Sequence, residues 1–140
     1  MNIATWNVRF FNLEGRLENT ILEMQRSNIL IMGICETHWE GCNDFTTNGY
    51  RVIGSGGKMK RNGVAVILDQ RKTGVVTHVE YVSKRLMMIK INAEPVDVMI
   101  IQVYMPTSTA DEEDIEQMYD QIEEIMKENR GKHNTIVMGD

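Results

Sequence analysis

The sequence is poor in cysteine, in proline and in long apolar runs, and each scarcity excludes a class of protein. Two cysteines, Cys35 and Cys42, cannot build the disulfide framework of a small secreted domain. No apolar run approaches the ~20 residues that cross a bilayer, and the first residues lack the basic and apolar parts of a signal peptide. We therefore expect an intracellular chain, nuclear or cytoplasmic, with Cys35 a buried structural thiol.

The composition is that of a folded domain. With 42% apolar residues the chain can bury a core, and 25% charged residues with two prolines do not indicate disorder. A length of 140 residues fits one domain, and the chain has no internal repeat or linker. We therefore assign residues 1–140 to a single unit.

The charges are distributed unevenly along the chain. Nine of the twenty acidic residues lie between positions 111 and 128, whereas positions 51–90 carry nine Lys and Arg residues against two acids. A basic stretch of that density can follow a phosphate backbone. Its cations are equally compatible with ordinary solvated side chains, so the stretch supports a nucleic-acid ligand without requiring one.

Short runs rich in Val and Ile, bounded by Gly, Asn, Asp or Lys, predict strands. The predicted strands span residues 2–8, 29–35, 50–53, 64–68, 75–82, 86–91, 96–104 and 135–138. Apolar residues at helical spacing predict helices over 14–25 and 111–129, the second with acids at its start and Gly131 after its end. This order indicates a two-sheet α/β sandwich with helices outside.

Four polar residues follow or end apolar strand runs: Asn7, Glu36, Tyr104 and Asp140. Strand ends that fan out from one edge of a sheet converge on a crevice, where α/β folds place their sites. The side chains suit hydrolysis of a phosphate ester. Glu36 can bind Mg²⁺ with Asn7 as a second ligand, Asp140 can activate water, and Tyr104 can hydrogen-bond a phosphoryl oxygen. Mn²⁺ could replace Mg²⁺.

Other site chemistries find less support. His38, His78 and His133 are scattered and form no zinc motif with the cysteines. The glycine-rich stretch 54–57 lacks the following helix and the Lys-Ser/Thr pair of a nucleotide-binding loop.

Five segments in order carry a resemblance to a known family: Thr5-Trp6-Asn7-Val8-Arg9, Glu36-Thr37-His38, Gly63-Val64-Ala65-Val66, Val103-Tyr104-Met105-Pro106 and Val137-Met138-Gly139-Asp140. The set resembles the endonuclease/exonuclease/phosphatase superfamily. Within it, the likeness is greatest to the endonuclease domains of non-LTR (LINE-type) retrotransposons and to the craniofacial development protein 2-like sequences derived from them. The resemblance implies a Mg²⁺-dependent DNA endonuclease, with possible fusion to a reverse transcriptase.

By this resemblance, Asn7 is the active-site asparagine, Glu36 the metal ligand, Tyr104 the tyrosine of a Tyr-x-Pro motif and Asp140 the first residue of a Gly-Asp-x-Asn motif. Three further residues are candidates for contacting the substrate phosphate: Arg9, His38 and Arg85. For His38 a purely local hydrogen-bonding role is the alternative.

The sequence departs from the family pattern at its end. The asparagine expected two positions after Asp140 and a later Asp-His pair are absent, which predicts a sandwich truncated on its C-terminal side and inactive alone. Two other functions stay open. The chain could be a phosphatase or other phosphodiesterase of the superfamily that acts on lipid or RNA, or a non-catalytic remnant or binding module.

Overall fold

A computed structural model gives the fold. It describes residues 2–7, 15–58, 62–105 and 112–139, apart from the side chains of Trp6 and Asn7. In chain order, the described elements are β1 (Ile3–Asn7), α1 (Arg16–Arg26), β2 (Ile31–Cys35), β3 (Asn43–Thr47), β4 (Tyr50–Ser55), β5 (Val64–Asp69), α2 (Gln70–Thr73), β6 (Val75–Ser83), β7 (Leu86–Asn92), β8 (Asp97–Val103), α3 (Glu112–Glu128) and β9 (His133–Gly139).

The strands form two mixed sheets. The first has the order β1-β2-β5-β4-β3 and the second the order β6-β7-β8-β9. Only β1 with β2, and β8 with β9, pair in parallel among the described strands. Each parallel pair places two strand ends of the same direction side by side, which is what a strand-end site requires.

Three apolar layers hold the sandwich together, because the central strands alternate side chains between their two faces. The layer between the sheets includes Ile31, Val66, Ile89 and Ile100. A second layer packs α1 against the outer face of the first sheet, and a third packs α3 against the outer face of the second. The predicted two-sheet α/β sandwich is thus confirmed, as is the burial of Cys35.

The sequence patterns miss two described elements. Strand β3 is a polar edge strand with the sequence NDFTT, so it shows no apolar alternation. It forms a hairpin with β4 through Asn48 and Gly49, whose positive φ angles of 52° and 82° are typical of a two-residue hairpin turn. The Asn-Gly pair was the signal that predicts it. The other, α2, is a single turn capped by Asp69, too short for a periodic pattern.

The helix ends differ slightly from prediction. Gly15, in a left-handed conformation with φ 86°, precedes α1, which therefore begins at Arg16.

None of the helices in the described ranges is both long and apolar enough to pass through a lipid bilayer.

Candidate active site at the strand ends

The two parallel strand pairs end on the same side of the sandwich. In the first sheet Asn7 is the register partner of Cys35, so Glu36 follows immediately beside the end of β1. In the second sheet Val103 is the register partner of Gly139, and Tyr104 follows β8. The backbone of these strands therefore brings three of the four predicted positions to one edge, and β9 leads toward the fourth.

A hydrogen bond between Glu36 and Tyr104 joins the two sheets at this edge. The Tyr104 hydroxyl donates to Glu36 Oε1 over 2.8 Å. Tyr104 is 8% exposed and Glu36 is half-buried, so the carboxylate lies at the mouth of the inter-sheet core rather than on an open surface. Because a hydrogen bond to a charged acceptor is stronger than one between neutral groups, this contact fixes both side chains.

The backbone around Glu36 is held in an uncommon conformation. Glu36 and His38 both have φ 59°, in the left-handed region that few residues other than glycine adopt. The loop is tied to the segment before β5, where the Thr37 amide donates to the Gly63 carbonyl and the His38 amide to that of Asn62. Strain of this kind persists where surrounding contacts enforce it, and it is common at functional sites.

Gly63 supports the same loop. Its φ is 90°, and a Cβ placed there would lie 2.3 Å from the hydroxyl oxygen of buried Thr37. The Gly63 amide donates in turn to the carbonyl of Lys84, in the turn between β6 and β7. The loop that carries Glu36 is therefore locked to the second sheet through backbone hydrogen bonds.

Arg85 is in that turn, and its side chain contacts the ring of Tyr104. Its guanidinium carbon is 5.2 Å from the centre of the Tyr104 ring, and its carbonyl accepts from the Tyr104 amide at 2.8 Å. The Arg85 Nη1 atom is shielded from solvent and has no hydrogen-bond partner within the described residues. A shielded cationic donor is costly unless an anion completes it, so this atom fits an oxygen of a bound phosphate.

The basic stretch is less uniform than the residue count indicates. Arg51 makes two hydrogen bonds to Asp44, at 2.9 and 2.7 Å, and this contact raises the pKa of Arg51. Arg71 is paired with Asp69 at 3.0 Å, which likewise raises the pKa of Arg71. Lys84 and Arg85 lie in the turn between β6 and β7 that is hydrogen-bonded to the Glu36 loop through Gly63, whereas Lys60 and Arg61 lie outside the described residues.

The structure thus brings together three predicted site residues: Glu36, Tyr104 and Arg85. His38 follows in the same loop, half-buried, and its function stays a prediction. Arg9, Asp140 and the side chain of Asn7 lie outside the described residues. So the predicted approach of the Glu36 and Asp140 carboxylates to each other is untested.

The donor set can be compared with the requirements of Mg²⁺. Within the described residues no three His, Cys, Asp or Glu side chains cluster as a metal cage would. Mg²⁺ does not need such a cage, because it keeps several waters and binds through one or two carboxylates plus substrate phosphate oxygens. Glu36, fixed by Tyr104 and facing a strand-end edge, is compatible with that mode of binding.

The motif analysis does not single out Gln102, although it lies directly behind the site. Gln102 is fully buried on the inter-sheet face of β8, and its side chain contacts Cys35. The sequence feature that could have singled out Gln102 is its place as a polar residue within the apolar run 98–103.

These features define the class of fold: a two-sheet α/β sandwich with a glutamate and a tyrosine joined across the strand ends. Solved structures of endonuclease/exonuclease/phosphatase proteins share the sandwich fold. An AP endonuclease from Archaeoglobus fulgidus superimposes with a TM-score of 0.73 at 23% identity, covering 100% of this chain and 57% of its own. A 3′ phosphatase, NExo, from Neisseria gives 0.74 at 21% identity, again with 57% of its chain covered. At these identities the likeness is one of fold.

Sequence relatives agree with the predicted resemblance. The chain is 31% identical over 126 residues to craniofacial development protein 2 of Bos taurus, and 30% identical to that of Tragulus javanicus. These alignments cover 89% of this chain and 21% and 22% of the relatives, so the chain spans about a fifth of their length. No protein-family model matches. The endonuclease domain of the non-LTR retrotransposon TRAS1 also shares the fold, with a TM-score of 0.60 at 13% identity.

Proposed function

We propose that the strand-end site serves Mg²⁺-dependent hydrolysis of phosphodiester bonds in DNA. The observation that carries the proposal is the Glu36–Tyr104 hydrogen bond across the two sheets, with the shielded Nη1 atom of Arg85 beside it. A carboxylate, a phenol and an unpaired guanidinium donor converge on one edge. Together they can hold a cation and an anionic ester in contact.

Each residue has a distinct part in this proposal. Glu36 holds the metal, with the Asn7 amide oxygen as a second ligand, and bound Mg²⁺ supplies positive charge to the phosphoryl oxygens. Tyr104 keeps the Glu36 carboxylate in place in the free site; once Glu36 binds the metal, the one hydroxyl proton of Tyr104 can turn to a phosphate oxygen as charge develops there. Arg85 binds a non-bridging phosphate oxygen, with Arg9 and His38 as further candidate contacts. Asp140 orients and deprotonates the attacking water.

DNA is the favoured substrate because structures of this fold have been solved with it. NExo is bound to a product DNA hairpin, and a TDP2 from D. rerio is complexed with a single-stranded DNA product. The TRAS1 domain comes from a retrotransposon, which supports the LINE-type origin that the Glu-Thr-His tripeptide indicates. Lys84 and Arg85, in the turn beside the Glu36 loop, fit a phosphate backbone.

The test is conversion of supercoiled plasmid to open circles in Mg²⁺, with a chelator as blank. It is measured with residues 1–140 and with a longer protein that continues beyond Asp140. In whichever form nicks DNA, Glu36→Gln should lower the rate on the order of 10³-fold, because the uncharged amide no longer holds the metal. Glu94→Gln is the matched control, since Glu94 is exposed in the loop after β7, at the opposite end of the sandwich.

Activity should also fall steeply as salt rises, since phosphate contacts release counterions. Retention of the parent rate by Glu36→Gln to within about tenfold, a change of only ~1.4 kcal/mol, would contradict the metal assignment. Glu36 would then be a carboxylate that organises its loop and Tyr104.

A further inference from the structure

The polar links between the two sheets are concentrated at the site end. Most of the inter-sheet layer is apolar, with residues such as Ile31, Leu68 and Ile89. At the strand ends, by contrast, the Ser55 hydroxyl donates to the Ser83 carbonyl at 2.6 Å, and Tyr104 reaches Glu36. Apolar contacts are non-directional and let two sheets slide, whereas hydrogen bonds fix one relative position.

Gln102 and Cys35 form the most deeply buried of these links. The Gln102 Nε2 atom donates to Cys35 Sγ at 3.3 Å, and the Cys35 thiol donates to the Val103 carbonyl at 3.5 Å. Cys35 is 1% exposed and Gln102 is 0% exposed. Both residues are close to the site in sequence, because Cys35 directly precedes Glu36 and Gln102 stands two positions before Tyr104.

Gly33 leaves the space that Gln102 occupies. A Cβ at Gly33 would lie 2.0 Å from Gln102 Oε1, 2.7 Å from its Cδ and 2.9 Å from the end of Met138. Gly33 lies two residues before Cys35 on the same face of β2, opposite Gln102. The first sheet is thus shaped to accept an amide at this position.

The arrangement leaves one amide atom of Gln102 without a partner. Oε1 is shielded and accepts no hydrogen bond within the described residues. Turning the amide by 180° would instead leave the Nε2 donors facing Gly33, so either orientation has this cost. An apolar side chain of the same size would avoid it, and a polar residue in such a place contributes specificity of geometry rather than stability.

We propose that Gln102 and Cys35 are positioning residues, which set the relative placement of the two sheets at the strand ends and thereby the Glu36–Tyr104 hydrogen bond. The inference rests on the proposed function only for its consequence in catalysis. The structural part concerns a hydrogen bond that is measurable without any substrate.

The first test is thermodynamic. Gln102→Met keeps the length of the side chain and removes the amide, so we expect its urea midpoint to equal or exceed that of the parent. Ile100→Met is the matched control, because Ile100 is fully buried on the same face of β8, two residues away. A midpoint for Gln102→Met well below that of Ile100→Met would overturn the proposal, because Gln102 would then be an ordinary stabilising core residue.

The second test reads the Glu36–Tyr104 contact by NMR. The Cζ resonance of Tyr104 in ¹³C-tyrosine-labelled protein is assigned by its loss in Tyr104→Phe, and Glu36→Gln should shift it. In the Gln102→Met background we expect this shift to fall to about half or less of its size in the Ile100→Met background. Equal shifts in both backgrounds would overturn the proposal. If Gln102→Met fails to fold, Cys35→Ala removes the same link and takes its place.

Catalysis separates this inference from the proposed function. If plasmid is nicked, Gln102→Met should lower kcat about tenfold or more with little change in KM, since small displacements of reacting groups are costly. A reduced effect of Glu36→Gln on the Tyr104 Cζ shift in the Gln102→Met background, with an unchanged kcat, would support the positioning role and contradict the proposed site. If the effect of Glu36→Gln on that shift is unchanged, positioning is refuted whatever the activity.

Discussion

Replacing Tyr104 by phenylalanine removes one hydroxyl from the junction of the two sheets and leaves the ring in place. The lost contact is the 2.8 Å hydrogen bond to Glu36 Oε1. The ring is retained against the Arg85 guanidinium, and the amide of residue 104 still donates to the Arg85 carbonyl. The variant therefore isolates the hydroxyl–carboxylate contact from the packing around it.

The magnitude follows from the charge and burial of the pair. A hydrogen bond to a charged group contributes roughly 1.5–3 kcal/mol, and Tyr104 is 8% exposed while Glu36 is only half-buried. Water can replace part of the lost contact at Glu36, so we expect a value at or slightly below the lower end of that range, about 1–2 kcal/mol. For a domain of this size that loss lowers the melting temperature by roughly 3–8 °C.

The assay is urea unfolding without added metal, with Tyr119→Phe as control because Tyr119 is 62% exposed on α3. A double-mutant cycle with Glu36→Gln should give a coupling energy of at least about 0.5 kcal/mol. If Tyr104→Phe and Tyr119→Phe unfold alike, and the coupling is zero within error, the hydroxyl does not hold the carboxylate and the reasoning is refuted.

Two further predictions concern other parts of the fold. Gly49→Ala should lower the free energy of unfolding by about 1–2 kcal/mol because φ is 82°, and by more than Gly49→Asn, since asparagine tolerates the left-handed region better than alanine does. Equal urea midpoints for the two variants would contradict this. Burial, and secondarily the charge of Asp69, raises the pKa of Tyr50, so the neutral phenol is favoured in the folded state. Stability should therefore fall as pH rises above about 10, and Tyr50→Phe should lose less between pH 9 and 11; parallel pH profiles would refute it.

The strand-end positions were predictable because they depend on a local pattern. Glu36 and Tyr104 each follow a nearly continuous apolar run, and such runs are typical of strands buried on both faces. The motifs also indicated the superfamily whose sandwich fold the solved structures share with this chain. The pattern alone did not indicate which sheet each strand joins. It therefore could not predict the direct contact between the Glu36 and Tyr104 side chains.

The features that sequence reasoning missed depend on partners distant in the chain. Counting charges over positions 51–90 does not reveal that Arg51 is satisfied by Asp44 on the neighbouring strand. Gln102 reads as an interruption of an apolar run until Cys35, 67 positions away, is placed against it. The sequence indicated Arg85 only as a candidate phosphate contact, and its placement over the Tyr104 ring comes from the turn between β6 and β7.

The central claim is that the Glu36 edge binds a divalent metal, and paramagnetic broadening by Mn²⁺ tests it most directly. Amide signals of residues 35–37 and 104 should broaden first as Mn²⁺ is added to the labelled chain, and excess Mg²⁺ should restore them. Glu36→Gln should abolish this broadening, whereas Glu94→Gln should leave it unchanged. Broadening centred on the acidic helix α3, or the same broadening of residues 35–37 in Glu36→Gln, would contradict the account.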